Sequence, residues 1–373
     1  MATYLKGVYN TYVKDNSTEE KLVLLSVASI FLPFFVTAAV LLFVTIRALC
    51  LKNTRKMMFS DLSIKLVAAF AVLNAVAPFV FKNWLGVACY VGFTLMLVFA
   101  LYLRSVVTER LFNKIGNVIA GMSIIPAFFS TFISDPRHEM RSPSFFFNPN
   151  YYGAAITVVV LLCVYRLLTQ KQNRGLLIVS IVANLYGLWQ ADSQSALFSL
   201  VFGVLLLLLL TKKYKTLIVV AALGVAGALA IVFVPQLNFI LPRISSAAEN
   251  IAIRATIWQA GLKGFSESFL FGRGSMGYLQ IYERFGSPKN FHCHNLFIDL
   301  LLSFGIIGVL PVAAFVALPI KKAFKNKYSP LVFAVLGAVL LHALTDVTLI
   351  WIQTGALAAL FLTFPYMKEE QND

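Results

Sequence analysis

The segment NFHCHNLFIDLLLSFGIIGVL, residues 290–310, places His292 and His294 directly before a long apolar run. Histidine titrates near neutral pH and is the commonest general base in enzymes, so the pair predicts a catalytic or substrate-binding role. Two other interpretations stay open. Zinc binding would need three or four ligands at matched spacing, and the sequence has no partner motif such as C-x-x-C. A structural helix cap would involve no chemistry.

Two arginines upstream of the histidines carry a group that suits phosphate. The guanidinium of Arg254 or Arg273 can donate paired hydrogen bonds to phosphate oxygens. Around Arg254, apolar residues recur at spacings of three and four, which predicts a helix with Arg254 at the flank of its apolar face. That helix either lies in the membrane interface or packs in a core with an incidental arginine. The residues of the predicted face are Ile251, Ala255, Trp258, Leu262 and Phe265.

Arg273 lies in FGRGSMGY, where Gly272, Gly274 and Gly277 match the spacing G-x-G-x-x-G. The dinucleotide-binding motif of that spacing requires a preceding strand and a following helix in a βαβ unit, and neither is predicted here. A glycine-rich turn also exposes backbone N–H groups that can line an anion. Phosphate contact and a plain flexible turn are therefore both consistent with the motif.

The composition indicates which kind of secondary structure positions these histidines and arginines. The chain of 373 residues is 59% hydrophobic and 13% charged, and its mean hydropathy is +0.81. A soluble domain of this size would expose too much apolar surface, whereas runs of about 20 apolar residues suit helices that cross a bilayer. We predict an all-α polytopic membrane protein, with residues 1–373 forming a single integral membrane domain.

Eleven apolar runs are predicted to span the membrane, and alternate connections between them are basic. Short basic loops stay in the cytoplasm, so the net charge of +15 reports topology and gives no reason to expect nucleic acid as a partner. The clusters place the C-terminus inside and the N-terminus outside. A further span within residues 1–46 would instead give twelve spans with the N-terminus inside. The predicted spans are residues 22–46, 62–81, 84–103, 115–134, 151–168, 175–191, 195–210, 216–234, 295–320, 330–349 and 351–366.

Two connections on the predicted outer face are longer than connectivity needs: a small loop, residues 135–150, and a large loop, residues 235–294. Arg141 lies in the small loop, and Arg254 and Arg273 lie in the large one. Because these loops border the membrane, a lipid diphosphate is the anion that we expect them to bind. Of the four cysteines only Cys293 lies in either loop, so no disulfide within the chain is expected there.

Four motifs follow one another in an order that resembles a known family. They are RSPSFFFNPNYYGA, then SQSALFSL, then RATIWQAGLKGF with LFGRGSMGY, and last HCHNLFIDLLLSFGIIGVL. From about residue 141 to residue 310, the chain resembles the bacterial O-antigen ligase and O-antigen polymerase superfamily, including teichoic-acid ligase relatives in Gram-positive bacteria. The resemblance implies a C-type-like glycosyltransferase helical bundle that needs no metal and no cofactor. It also implies a multi-pass protein of the bacterial plasma (inner) membrane with an extracytoplasmic active site.

The resemblance further implies substrates and site residues. The donor would be a glycan on undecaprenyl diphosphate, and the acceptor a glycolipid or another glycan. His294 would activate the acceptor hydroxyl, while Arg254 and Arg141 would hold the diphosphate. Gln194 stands where many members of the family carry an arginine. The other residues predicted to bind diphosphate or glycan are Arg273, His292, Asn148, Asn150 and Gln194 itself.

Several functions compete at this point. A ligase that moves a preassembled chain and a polymerase that joins repeat units use the same chemistry; we prefer the ligase, although the sequence does not separate the two. A flippase or other transporter of lipid-linked sugars would distribute charges along the bundle interior and show internal repeats, and neither is evident. A structural membrane scaffold explains neither the large loop nor its histidines.

Overall fold

The computed structural model of the chain describes residues 17–60, 62–234 and 247–367. Within these ranges every regular element is a helix, and the β-type contact is an isolated bridge between Asp135 and Arg141. The predicted all-α class is confirmed. Residues 1–16 and 235–246, which include the start of the predicted large loop, lie outside the described residues.

The α-helices are numbered here in chain order. The first group is α1 (Ser17–Ser29), α2 (Phe34–Cys50), α3 (Lys52–Met58), α4 (Leu62–Asn74), α5 (Ala77–Val80), α6 (Trp84–Val106), α7 (Glu109–Met122) and α8 (Ile124–Phe129). The second group is α9 (Pro149–Thr169), α10 (Arg174–Ala191), α11 (Gln194–Leu210), α12 (Tyr214–Phe233), α13 (Ala247–Ser266), α14 (Leu296–Ala323), α15 (Ser329–Ala343) and α16 (Ile352–Phe361). Short 3₁₀ helices occupy Pro136–His138, Gly277–Gln280, Thr348–Ile350 and Phe364–Tyr366.

The described part of the chain contains six helical segments that are long and apolar enough to cross a membrane, and the bent pair α2 and α3 makes a seventh. Three further apolar helical segments are shorter, at 10–17 residues. The polytopic membrane class is therefore confirmed. The number of long spans is below the eleven or twelve predicted, because the structure divides several of the apolar runs into short or bent helices.

The first predicted span is a hairpin of two helices. Glu19 at the start of α1 accepts a hydrogen bond from Arg47 at the end of α2 (2.7 Å), so these two ends lie on the same face. Pro33 lies in the intervening turn, and the side chain of Gln353 donates to the carbonyl oxygens of Ile30 (2.9 Å) and Leu32 (2.8 Å) there. The prediction of one span over residues 22–46 is wrong. The residues from Ser17 to Cys50 form two antiparallel helices in place of that one span.

Helix α9 is the most buried of the long apolar helices in the described part of the chain, since 78% of its most apolar 18-residue stretch lies inside the bundle. It packs against α10, α11, α15 and α16. Gly153 permits close approach of α11, because a Cβ there would lie 2.6 Å from the Cβ of Ala196. The N-terminus of α9, capped by Asn148, is thereby fixed against the start of α11. This end of α9 carries Asn150 and Tyr151, both buried.

Helix α14 is broken at Gly305, whose backbone (φ 63°, ψ −179°) is not helical. The segment around Gly272 docks into this break and pairs with the backbone groups that the break leaves without helical partners. Four hydrogen bonds do this: Arg273 N–H to Leu302 O (2.8 Å), Gly274 N–H to Ser303 O (2.8 Å), Ile306 N–H to Phe269 O (2.8 Å) and Ile307 N–H to Leu270 O (3.0 Å). Gly272 itself has a φ of +67°, and a Cβ on it would lie 2.4 Å from the carbonyl carbon of Ser303. The glycine-rich turn is therefore a rigid docking element.

Helix α13 exists as predicted, but its packing face differs. Ile257 and Gly261 are buried, whereas Ile251 and Leu262 of the predicted face are 59% and 49% exposed. A Cβ on Gly261 would lie 2.8 Å from the sulfur of Cys293, so the helix rests directly on the histidine segment. The face that packs is rotated from the apolar face because it contains small residues such as Ala260 and Gly261, which permit close contact but contribute little to hydropathy.

Candidate functional site

Three side chains meet where α14 begins and α15 has ended, and they are called the histidine–aspartate cluster: His292, His294 and Asp346. Nδ1 of His294 lies 3.2 Å from Oδ1 of Asp346, and Nε2 of His292 lies 3.7 Å from the same oxygen. Asp346 is fully buried, while His294 keeps 17% of its side chain exposed. His294 also has a left-handed backbone (φ 47°), a strained conformation that is common at functional sites.

The hydrogen bonds determine which nitrogen of each ring carries a proton. The N–H of His294 donates to Nδ1 of His292 (3.2 Å), so a neutral His292 carries its proton on Nε2, which faces the Tyr151 hydroxyl at 3.1 Å. In His294 the order is reversed. Its Nδ1 faces the Asp346 carboxylate, which only accepts, so Nδ1 is the protonated nitrogen and Nε2 offers the lone pair. Nε2 of His294 is therefore the basic atom of the cluster.

Asp346 is held in place by residues from three other segments. Its Oδ2 accepts from the Asn150 amide (2.5 Å), and its Oδ1 accepts from the N–H of Val347 (2.8 Å). The amide oxygen of Asn150 accepts in turn from Arg141 (2.8 Å) and Ser193 (3.0 Å). This network joins the small loop, the N-terminus of α9 and the start of α11 to the cluster. It fixes the carboxylate that orients His294.

Helix α13 brings Arg254 and Trp258 to the cluster. The indole N–H of Trp258 donates to the carbonyl oxygen of His294 (3.1 Å), which fixes the helix to the histidine segment. The half-buried Arg254 is close enough for its charge to act on His292 and Asp346. The predicted placement of an arginine beside the histidines is therefore observed.

Burial and charge act together on the titrating groups. Burial first, and then the charges of His294 and Arg254, lower the pKa of His292 to about 4, so this ring is neutral at physiological pH. Burial opposes ionisation of Asp346, yet its interactions with His294, including a hydrogen bond, and with His292 and Arg254 prevail and hold the pKa of that carboxyl well below its usual range. An ionised carboxylate is what the group that orients a general base requires.

Residues 179–313 match the family model described as O-antigen ligase. The resemblance predicted from the motifs is thereby confirmed for this segment, which covers roughly a third of the chain. It contains Arg254, His292 and His294, whereas Asn150 and Asp346 lie outside it. No curated protein matches the chain. The match supports a membrane glycosyltransferase activity of the O-antigen ligase or polymerase type, acting on lipid-linked glycans.

Asp299, within the matched segment, does not orient the His294 ring, although it lies one turn beyond it in sequence. Its Oδ1 accepts from the backbone N–H of Cys293 (2.9 Å), so it positions the loop and not the imidazole. The orienting carboxylate is Asp346, 52 residues further along the chain. Its position near an outer helix end, on the same predicted face as the histidines, was the available signal for it in the sequence.

The cluster offers metal-type ligands, since the ligand atoms of its three residues lie within 4.8 Å of one another. Two histidines and a carboxylate are a set that zinc accepts. Binding through Nε2 of His292 would require its lone pair, so the proton would have to move to Nδ1. That nitrogen already accepts from the N–H of His294, and the bond would be lost. The observed hydrogen bonds fit proton transfer better than metal binding.

Two arginines that were predicted to bind diphosphate, Arg273 and Arg141, contact other groups of the protein. Arg273 forms an ion pair with Glu267 (2.7 Å), and its guanidinium lies 4.7 Å from the ring centre of Phe81. The backbone N–H groups of Arg273 and Gly274 bond to α14, so these two groups are not available to line an anion, one of the two uses that the motif left open. Arg141 is 9% exposed and reaches the cluster through Asn150, and its Nε donates to the carbonyl oxygen of Ala191 (2.9 Å).

The remaining predicted residues lie around the network. Asn148 caps α9 and its amide lies 3.2 Å from Nε2 of His138. Gln194 is half-buried at the first position of α11, and it is its neighbours Ser193 and Ser195 that bond, to Asn150 and Thr345 respectively. The structure therefore brings His292, His294, Arg254, Asn150 and Arg141 together as predicted. It adds Asp346, Ser193 and Tyr151.

A cavity of about 480 Å³ opens beside His292 between α2, α6, α14 and α16. Tyr151, His292 and Asp299 form a polar part of its lining, and most of its walls are apolar. A second cavity of about 190 Å³ continues between α2 and α6. The residues that line both cavities are Ala38, Gly92, Met96 and Ile352. The two cavities together are called the apolar cleft, and one end of this cleft reaches His292 of the cluster.

Proposed function

We propose that the protein is an extracytoplasmic glycosyltransferase that moves a glycan from a polyprenyl diphosphate to a hydroxyl of a glycolipid, as a ligase does. The observation that carries this proposal is the pairing of His294 Nδ1 with the buried Asp346 carboxylate at 3.2 Å, which leaves Nε2 as a base. The O-antigen ligase match over residues 179–313 supports the reaction class.

In the proposed reaction, Nε2 of His294 takes the proton of the acceptor hydroxyl. The acceptor oxygen forms a bond to the anomeric carbon of the donor glycan. The bond from that carbon to the diphosphate oxygen breaks, and the electron pair leaves with the lipid diphosphate. Asp346 stabilises the imidazolium that forms, because its negative charge faces Nδ1. A positioned base of this kind typically contributes about 10²–10⁴-fold to the rate.

Arg254 is the residue that we propose for the departing diphosphate. Negative charge grows on the diphosphate in the transition state, and a fixed guanidinium stabilises it as preorganised electrostatics. The same positive charge disfavours protonation of the neighbouring His292. Arg141 is proposed as a positioning residue, since it bonds the amide that holds Asp346. A bound metal has no role in this scheme.

The apolar cleft suits the lipid chain of the donor. Its walls are apolar, and one end reaches His292, so a lipid lying in it would present its diphosphate to the cluster. The orientation of α9 supports an extracytoplasmic site. Asn150 is at the first turn of α9, near the cluster. The basic residues Arg166, Lys171 and Arg174 lie at or beyond its other end, as in a short cytoplasmic connection. We therefore propose a plasma membrane location with the active site facing outward.

The proposal is tested with the full chain in liposomes, supplied with lipid-linked glycan extracted from cells that lack the gene. His294→Ala and Arg254→Ala should each reduce transfer by at least about 10²-fold at normal protein abundance. The matched control is Asn173→Ala, which removes an asparagine hydrogen bond to Asn117 (3.1 Å) at the opposite end of the bundle. Transfer at the wild-type rate by the His294 variant would overturn the base assignment.

Deletion of the gene separates the ligase from the polymerase, which uses the same chemistry. A ligase is supported if full-length chains accumulate on the carrier lipid. Accumulation of single repeat units on the carrier would establish the polymerase instead. Normal envelope glycans with no accumulated intermediate would contradict both.

A further inference from the structure

The basic nitrogen of His294 is already occupied by a side chain of the same protein. The amide nitrogen of Asn290 lies 2.6 Å from Nε2 of His294. Its orientation is fixed, because the amide oxygen of Asn290 accepts from the N–H of Phe291 (2.7 Å) and the NH₂ group must therefore face the ring. Asn290 thus donates a hydrogen to the lone pair that the proposed reaction uses.

The amide N–H stands where an acceptor O–H must stand. Both groups donate one hydrogen to Nε2 at hydrogen-bond distance, and there is one lone pair for them to share. An acceptor hydroxyl therefore displaces Asn290 before it can be deprotonated. The exchange replaces one neutral hydrogen bond by another, so a well-positioned acceptor needs little extra binding energy to make it. A loose water molecule gains less, because it brings no other contacts.

We propose that Asn290 is a positioning residue that shields the base of His294 until the acceptor arrives, and so directs the enzyme towards transfer and away from hydrolysis. This inference rests on the proposed function. The reaction that Asn290 suppresses is the attack of water on the donor. There a water oxygen forms the bond to the anomeric carbon and its proton goes to Nε2. The bond to the diphosphate oxygen breaks, and the lipid diphosphate leaves with the electron pair.

The shielding is measured first without any substrate. Diethyl pyrocarbonate modifies unprotonated imidazole nitrogens, and mass spectrometry of the full chain in detergent follows the modification of His294 over time. Asn290→Ala should accelerate it roughly fivefold, the factor expected for one neutral hydrogen bond. His138 is the internal reference, because its Nε2 lies beside Asn148, outside the cluster. An unchanged rate at His294 would overturn the proposal.

The functional arm uses lipid-linked glycan extracted from cells that lack the gene. Release of water-soluble glycan is measured without acceptor, and transfer is measured with membranes of the same cells. Asn290→Ala should raise the ratio of hydrolysis to transfer several-fold, whereas a merely structural role would lower both rates in parallel. Asn173→Ala is the control. A faster modification of His294 with an unchanged ratio would also refute the proposal, because shielding would then have no effect on the reaction.

A second variant keeps the shape of the side chain. Asn290→Asp replaces the donating amide by a carboxylate that stabilises the protonated imidazole, so transfer should need a more alkaline pH than in the wild type. An unshifted pH profile would contradict the contact. Failure of the proposed function is distinguishable from failure of this inference. If His294→Ala still transfers glycan, the base assignment falls, while the substrate-free modification of His294 still reports whether Asn290 covers its ring.

Discussion

Replacing Asp346 by asparagine measures how much of catalysis depends on the charge beside His294. The substitution preserves size, and an amide oxygen can still accept from the N–H of Val347. It removes a negative charge 3.2 Å from the ring nitrogen that shares the positive charge once the acceptor is deprotonated. Coulomb's law gives about 5 kcal/mol for two unit charges at this distance and an effective dielectric constant of about 20. Since about 1.36 kcal/mol corresponds to a tenfold change in rate, we expect transfer to slow by roughly 10³–10⁴-fold.

The assay is the initial rate of glycan transfer in liposomes, with abundance and thermal unfolding recorded for each variant. The chain offers a matched control in Asp135→Asn, because the carboxylate of Asp135 faces Nδ1 of His138 at 2.9 Å outside the cluster. That variant should transfer within about threefold of the wild-type rate, as a pair with no part in the reaction does. An Asp346→Asn variant that keeps more than a tenth of the activity would refute the claim that this carboxylate stabilises the imidazolium.

Three further predictions concern stability, pH and metal. Gly272→Ala should lower the free energy of unfolding by at least about 2 kcal/mol, because the φ of Gly272 is +67° and an added Cβ would meet the Ser303 backbone. Gly286→Ala is the comparison. Gly286 has a φ of +61° but open space around it, so this variant should lower the free energy of unfolding by about 1 kcal/mol. As the pH falls from 6.5 towards about 4, His292 becomes protonated in the unfolded chain but not in the folded chain. The free energy of unfolding should therefore fall by up to about 3 kcal/mol over this range. In a His292→Asn variant the free energy of unfolding should depend less on pH. Chelation with EDTA should leave the transfer rate unchanged; a loss that zinc restores would establish a metal at the cluster.

Much of the bundle follows from the sequence because the membrane imposes a simple rule. A helix that crosses lipid must be apolar over its length, so α6, α9 and α14 lie within a few residues of the predicted spans. The same rule fails where an apolar run folds back on itself. Residues 22–46 are apolar throughout, yet Pro33 and the Gln353 hydrogen bonds turn them into a hairpin. Hydropathy does not register a turn that stays within the bundle.

The candidate site was predictable in part, for a different reason. His294 and Arg254 lie in the same large loop, so the chain connection between them favours their proximity. Asp346 reaches His294 across two helices and a loop, and no single-sequence pattern reports that contact. Arg141 was expected to bind phosphate because of its charge. Its observed partners, Asn150 and the carbonyl oxygen of Ala191, depend on packing that the charge does not reveal.

The backbone pairing between the Gly272 segment and broken α14 has a mechanical consequence. Four main-chain hydrogen bonds fasten residues 269–274 of the large loop to a helix inside the bundle, so this part of the loop cannot swing freely. Any movement of this segment during turnover would have to break those backbone bonds. Amides of Ile306 and Ile307 should accordingly exchange with deuterium as slowly as those of the helix interior, with or without substrate. A segment held in this way behaves as part of the helix bundle, although by sequence it belongs to a loop.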